Sequence, residues 1–393
     1  MSYARHRGET LFGRIGGVPG GLLERGPVTL AFAAVVVALC LDVAIRHDPI
    51  SVDFNTYMAA AQIGLHDGWS HIYDQGLVAI QQQLLAPGSR RQPFISPPTV
   101  AFTVAPLALF PHPVAYVIWA VLTFGAFAAA LALAGISTGL SRWVAVVGAL
   151  APWWIMHSVN VGQVVPLVAA GLVVGWRLLR DRREVLAGIA FGAILLKPNT
   201  AMLVPLALLF ATRYRALAAW GATAALVLLM TAAVLGPNGV MSYVNQMLGP
   251  WPGGADNVTL RGALDATGVF AAVLRTLIVV AVMGASYRMR ASPAMVVPLA
   301  IVGSLLVSPY LHGSDLCLLA AAGWMIWEAQ PKIAWRTLLA IAWVLASPFL
   351  YLRGESPHLT QWPWLEIALF LALLLSAIGP LTAWADSRRR APA

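Results

Sequence analysis

Apolar residues run almost unbroken from Pro27 to Trp384, interrupted at roughly helix-length intervals by short clusters of arginine, proline, glycine or polar side chains. The first run, Pro27 to Arg46, is long enough to cross a bilayer and has no convincing small-residue cleavage site after it, so it reads as a retained helix. Further apolar runs predict helices over 113–135, 142–157, 160–177, 185–197, 198–212, 214–235, 269–289, 292–309, 311–328, 332–351 and 363–384. About twelve spans of about 20 residues would use roughly 240 positions, close to the 59% of 393 residues that are hydrophobic. The expectation is an all-α polytopic membrane protein.

Charge then orients it. Only 10% of the residues are charged, against about 25% in a soluble domain. A soluble enzyme, a nucleic-acid-binding domain and a disulfide scaffold are excluded, since Cys40 and Cys317 both sit inside apolar runs. The net charge of +9 gathers at alternate breaks: Arg142, Arg177 to Arg183, Arg213 and Arg215, Arg288 and Arg290, Lys332 and Arg336, and Arg388 to Arg390. With residues 1–26 inside, 18 of the 25 basic residues face the cytoplasm. That asymmetry orients helices during insertion and by itself implies no anionic partner. The segment Pro97 to Phe110, interrupted by Pro106 and followed by Pro111, is read as re-entrant, because a full span there would invert every later helix. The expected organisation is a cytoplasmic tail over 1–26, a single transmembrane unit over 27–384, outer loops at 47–96 and 236–268, and a cytoplasmic tail over 385–393.

The polar motifs then share one face. It receives Asp53-Phe54-Asn55-Thr56-Tyr57, Ser96-Pro97-Pro98, Asn160-Val161-Gly162-Gln163, Lys197-Pro198-Asn199-Thr200, the 236–268 loop, and Ser308 through Asp315. An outward cavity walled by helix ends is implied. Within the 47–96 loop, Phe54, Tyr57, Met58, Ala61 and Leu65 are spaced as one apolar face, predicting a short amphipathic helix on the membrane with Asp53 at its N-cap. A second short helix is predicted near Leu77 to Leu85.

Asp53-Phe-x-x-Tyr57-x-x-Ala-Ala after the first helix, followed by Leu65-x-x-Gly68-Trp69-x-x-Ile72-Tyr73-Asp74, resembles the polyprenol-phosphate-dependent mannosyltransferases of glycosyltransferase family 87, which include mycobacterial alpha-1,2-mannosyltransferases. Ser96-Pro97-Pro98 with Pro106-Leu107, Gly162-Gln163, Ala187-Gly188 running into Lys197-Pro198, and Ser308-Pro309 with His312 and Asp315 extend the likeness over roughly residues 50 to 320. The resemblance implies a GT-C fold and inverting transfer of a sugar, mannose in the family, from a polyprenyl-phosphate donor to a glycolipid or glycan acceptor. It implies no cofactor beyond the lipid-linked donor, and a catalytic carboxylate on the first outer loop, here Asp53. The chain departs from the family pattern at Ser96 and at Asn55-Thr56-Tyr57, which leaves sugar and acceptor open.

Other residues carry two readings each. Lys197, between apolar stretches, either holds the donor phosphate or snorkels to the interface. His312 and Asp315, three apart at a helix start, suit phosphate or acceptor contact, and their spacing is not a metal signature. Arg275 either reaches the phosphate or pairs with an acid such as Asp42 or Glu366. Trp251 and Arg261 on the 236–268 loop suit a sugar cover, or for the tryptophan an interface belt. Tyr57, Gln163, Asn199, Asp315, Trp251 and Arg261 are the expected substrate contacts. His66, His71 and Asp74 read as solvated. The expected setting is a bacterial inner membrane with the site facing outward, and membrane lipids, not nucleic acid, as neighbours; abundant alanine, with Lys197 and Lys332 the only lysines among 25 basic residues, points to a GC-rich bacterial genome. A transporter or lipid flippase is the main alternative, against which stand the lack of matching halves and the gathering of polar motifs at one face. A membrane acyltransferase would want a His-x-x-x-x-Asp pair, and none occurs.

Overall fold

Short apolar segments between proline and glycine breaks can satisfy their backbone in lipid only as helices, and every element of the chain described below is helical. The computed structural model describes residues 50–249, 258–260, 264, 268–329, 333–345 and 363–389. The predicted first helix over 27–46, Asp42, Trp251 and Arg261 lie outside the described residues.

The chain opens with α1 (Val52–His66) and α2 (Gln75–Leu85), then α3 (Pro98–Val104), which tightens into a 3-10 turn over Ala105–Leu109. Next come α4 (His112–Ala134), α5 (Gly139–Leu150), α6 (Trp153–Asn160) and α7 (Val165–Arg180). They are followed by α8 (Glu184–Phe191, continued as a 3-10 turn over Gly192–Leu196), α9 (Leu203–Phe210) and α10 (Tyr214–Leu248). The bundle closes with α11 (Gly268–Arg288), α12 (Val296–Val307), α13 (Cys317–Ala329), α14 (Ile333–Leu345) and α15 (Trp364–Arg389).

Helices thus fall near each predicted position within the described residues, but not as twelve full spans. Three of them, α4, α10 and α11, are long and apolar enough to cross a membrane, and α5 with α6 makes a fourth if the pair, bent by 62°, counts as one span. The bend falls at Pro152, which cannot donate to the helical ladder. The segments Pro98–Leu109, Glu184–Leu196, Pro293–Val307 and Trp364–Ile378 are apolar but shorter. On α10, Leu226, Leu228, Leu229, Met230 and Val234 are exposed around the helix, apolar surface that lipid covers without penalty. The chain is therefore read as a membrane protein.

Two other expectations change. The helix α1 is not a surface amphipath: Val52, Phe54 through Ala61, Ile63 and Gly64 are buried, so protein covers faces that the periodicity assigned to membrane and water. The loop expected over 236–268 begins with a further helical stretch, because α10 breaks at Gly236 (φ 65°) and Pro237 and then resumes to Leu248. That second limb packs on the first loop, with Tyr243 against Tyr73 at 5.2 Å and Gln246 accepting from Gln75 at 3.3 Å.

Small residues set the interhelical distances. On α7, Gly171 and Gly175 face Ala190, Ala193 and Phe191; one turn further out, Gly188 and Gly192 face Ala216, Ala219 and Thr223 of α10. Four-residue glycine spacing lets two backbones approach closely, which replaces the hydrophobic driving force that lipid removes. The helix α12, buried along its whole length, forms the centre, and its Ser304 hydroxyl accepts the N–H of Leu203 at 2.9 Å.

Gly188 tests this packing. A Cβ there would strike the Ala216 carbonyl, whereas one at Gly221 on α10 meets nothing. Gly188→Ala is expected to lower stability by about 1–3 kcal/mol, and Gly221→Ala to be neutral or slightly stabilising. Thermal denaturation of both purified variants in detergent checks the contrast, which equal midpoints would remove.

Candidate active site

The helix α6 ends in a Schellman motif: Gly162 adopts φ 77°, its N–H bonds Val159 O at 3.0 Å, and Gln163 N–H bonds Ser158 O at 2.8 Å. The turn it makes exposes the carbonyls of Asn160 and Val161. Those carbonyls take the first N–H groups around α1: Ser51 to Asn160 O at 2.7 Å, and Asp53 and Phe54 to Val161 O at 2.8 and 3.1 Å. Glycine is required at 162 twice over, by its positive φ and because a Cβ would lie 2.5 Å from that of Phe54. Around the joint, Trp119 Nε1 donates to Gly162 O and Tyr116 OH to Asn160 O, both at 2.8 Å. Phe54 wedges among the rings of His112, Tyr116 and Trp119.

The docking corrects one expectation about Asp53. The N-cap of α1 is Ser51, and Asp53 lies inside the first turn without capping it. Its Oδ2 instead accepts Gln163 Nε2 at 2.7 Å. The carbonyl end of the same amide accepts Tyr57 OH at 2.8 Å and Lys197 Nζ at 3.2 Å. An ammonium only donates, so the amide orientation is fixed by its partners. Lys197 sits at the break between the 3-10 turn after α8 and Pro198, is 9% exposed, and lies 2.5 Å from Asp315 Oδ1. Asp315, fully buried at the 3-10 turn Gly313–Leu316 that leads into α13, accepts the His312 N–H on its other oxygen at 2.9 Å. The His312 ring meets Tyr310 OH through Nε2. Asn199 Nδ2 holds the same segment through Tyr310 O at 2.7 Å and Ser308 Oγ at 3.3 Å.

Seven of the ten sequence-predicted residues, Asp53, Tyr57, Gln163, Lys197, Asn199, His312 and Asp315, are thus brought together by four separate stretches of chain. Arg275 is half-buried on α11, two turns from its start. Two further residues belong to the cluster. His157 on α6, stacked on Trp153 at 4.3 Å, is near enough to Asp53 for its charge to act there. Ser96, before the double proline, reaches Tyr57. Proximity to the Asn160 break was the available signal for His157; for Ser96 it was the motif itself.

Burial raises the Asp53 carboxyl above the ordinary carboxylate value, against the opposing pull of His312, Lys197, the Gln163 hydrogen bond and His157. Burial, with the Asp53 charge behind it, pushes the Tyr57 phenol well up, so it stays a donor. A carboxylate of raised basicity, oriented by an amide and with a cation beyond it, is equipped to take a proton from a hydroxyl while an anion leaves nearby.

The family model described as glycosyltransferase family 87 matches residues 94–309, more than half of the chain. The chain belongs to glycosyltransferase family 87. No curated protein and no solved structure gives a significant match. Membership in family 87 makes the chain a glycosyltransferase and sets aside the transporter and acyltransferase readings. The matched span contains Gln163, Lys197 and Asn199, while Asp53, His312 and Asp315 lie outside it and join the site through the hydrogen bonds above.

Two measurements probe this network. Gln163→Ala removes the donor that holds the Asp53 carboxyl down, so the acidic limb of the kcat/KM profile is expected to move to higher pH, with a loss of about 10- to 100-fold at neutral pH. An unmoved limb would reduce Gln163 to packing. Lys197→Ala alone leaves Asp315 buried and unpaired, at a cost of about 3–5 kcal/mol. Lys197→Ala with Asp315→Ala is expected to melt higher than the single variant, and a lower melting double variant would contradict the ion pair.

Proposed function

We propose that this glycosyltransferase takes a sugar, mannose by the family resemblance, from a polyprenyl-phosphate donor and moves it with inversion to a hydroxyl of a glycolipid or glycan acceptor. The reaction is assigned to the non-cytoplasmic face of a bacterial inner membrane. One observation carries the reading: the Gln163 amide joins Asp53 at one end to Lys197 at the other, so a carboxylate and a cation are held at the two ends of one side chain. The turns bearing Arg180 to Arg183 and Arg213 to Arg215 meet around one cavity, and the helix α8 with its 3-10 continuation separates them from Lys197, which supports an outward site under the positive-inside rule.

In this mechanism Asp53 accepts the proton of the acceptor hydroxyl as its oxygen bonds C1 of the sugar from the face opposite the phosphate. The C1–O bond to phosphate breaks, its electron pair leaves with the polyprenyl phosphate, and the proton passes from Asp53 to water. The leaving group needs charge stabilisation more than a proton, a role assigned to Lys197 and His312, with Arg275 as a further contact. Tyr57, Gln163, Asn199 and Asp315 position the sugar and the charged groups; Trp251 and Arg261 are proposed as its cover. No cofactor enters: the lipid-linked donor is the co-substrate.

Asp53→Asn keeps the shape of the side chain and is expected to fold while losing about 10²- to 10⁴-fold in turnover. The assay is transfer of labelled sugar from synthetic polyprenyl-phosphate-mannose by purified protein with a glycolipid acceptor pool. In wild type, kcat/KM should rise with pH as Asp53 ionises, at a pH above the ordinary carboxylate range because its pKa is raised. Wild-type turnover by Asp53→Asn would remove it as the base, and product from other lipid-linked sugars alone would reassign the donor.

A further inference from the structure

A polar cavity lies away from Asp53. It is an open cleft of about 1070 Å³, walled by three helix-to-helix turns, at Leu179–Leu186, Thr212–Arg215 and Ala291–Ala294, with Ala329, and Arg182, Arg183 and Arg215 reach solvent in it. The helix α8 and its 3-10 extension connect it to Lys197 over about 20 Å, from 8 α-helical and 5 3-10 residues. Five arginines line it, Arg180, Arg182, Arg183, Arg213 and Arg215, against one acid, Glu184.

The acids nearby are already engaged. Glu184 pairs with Arg213 at 3.2 Å, and Asp181 with Arg177 at 2.9 Å. Arg213 is held further by donating to Arg290 O at 2.8 Å, and Arg180 lies over the Trp176 ring at 5.9 Å. No side-chain hydrogen bond or ion pair involves Arg182, Arg183 or Arg215 among the described residues. Insertion rules explain why arginines lie at these turns. They do not explain a concave arrangement.

A second feature is independent of the side-chain charges. The helices α8 and α10 both start at this cavity, and their N-cap residues are Arg183 and Arg213, whose side chains offer no acceptor. The helical ladders begin with Ala187 N–H to Arg183 O and Leu217 N–H to Arg213 O. The N–H groups of 184–186 and 214–216 therefore precede the ladders, at two positive helix ends beside the unpaired guanidiniums. Both turns hold a non-glycine residue at positive φ, Arg182 at 61° and Thr212 at 59°. Converging helix N-termini with forked donors are the chemistry of phosphate recognition.

We propose that this cavity is a second ligand site, which binds a phosphate-bearing anion, in the membrane the headgroup of an anionic phospholipid. Its volume exceeds what one phosphate fills and suits a phosphate with its glycerol, and basic pockets between helix ends at a membrane face hold such headgroups. Arg182, Arg183 and Arg215 are the forked donors, and the α8 and α10 ends supply the backbone N–H groups.

The test uses the delipidated full chain in detergent, titrated in separate arms with dioleoylphosphatidylglycerol, dioleoylphosphatidylcholine and inorganic pyrophosphate, with binding read by native mass spectrometry. The expected result is retention of phosphatidylglycerol over phosphatidylcholine, weakened at least tenfold by Arg182→Gln, Arg183→Gln and Arg215→Gln together, and unchanged in Asp53→Asn. The Arg182→Lys, Arg183→Lys and Arg215→Lys variant keeps the insertion charge and loses only the forks. It is expected to bind about threefold more weakly, and it decides the matter if the neutral variant does not fold. Arginine-dependent binding of pyrophosphate without phosphatidylglycerol would keep the phosphate site and make its ligand soluble. Equal retention of both lipids without pyrophosphate binding, or binding that neither triple variant alters, overturns the proposal.

Discussion

The structure depends on one backbone junction: the first N–H groups of α1 bonded to the carbonyls of Asn160 and Val161. A helix start normally consumes a side-chain oxygen to satisfy those donors, and an aspartate early in the helix is the usual supplier. Here the α6 turn supplies the acceptors, so the Asp53 carboxylate is released from capping and left for Gln163. The same turn delivers Gln163 immediately after Gly162. One joint therefore frees the carboxylate and positions its donor, across 110 residues of chain. The cost is borne by Gly162, where only a residue without Cβ tolerates both the φ and the approach of Phe54.

Lys197 obeys a different constraint. A lysine at the tip of two short apolar helices would ordinarily extend to water, yet its ammonium is turned inward to Gln163 and Asp315. Burying such a pair is favourable only when the remaining hydrogen-bonding capacity is also met. Asp315 meets part of it by accepting the His312 N–H, and Lys197 by donating to Gln163. The ion pair thereby couples the break after α8 to the turn before α13, and Asn199 reinforces that coupling through Tyr310 and Ser308. Three chain reversals are fixed to one another through polar groups, in a bundle whose apolar surfaces specify little about register.

Much of this was legible in the sequence, because both signals that carried it are local. Apolar runs predicted 113–135 where α4 spans His112–Ala134, and alternation of arginines with polar motifs predicted which breaks share a side. What was not legible depends on partners distant in sequence. Periodicity gave α1 an apolar face, but the small side chains Ala59, Ala60 and Ala61 let protein close over the others. Asp53 reads locally as a cap because nothing nearby reveals that Val161 already serves α1. Twelve full spans do not emerge among the described residues for a related reason: hydrophobicity marks segments, while proline at 152 and the lysine at 197 decide whether a segment continues straight. His157 escaped notice since a lone histidine near a helix end has no local signature of its distance from a carboxylate.

The charge count at the site constrains how an anionic donor is accommodated. Counting the Asp53 and Asp315 carboxylates and the Lys197 ammonium, the three groups sum to a single negative charge, which would repel the phosphate of the proposed donor. The raised basicity of Asp53 does not offset this, since in its proposed role as base the carboxyl must be ionised to act. Beyond Lys197, the groups that oppose this negative charge at Asp53 are His312 and His157. The His312 ring meets Tyr310 and its backbone N–H is held by Asp315, so the imidazole stands at a fixed position. In the proposed reaction, proton acceptance and charge stabilisation are thereby divided between separate residues, joined through the Gln163 amide and the Lys197–Asp315 pair.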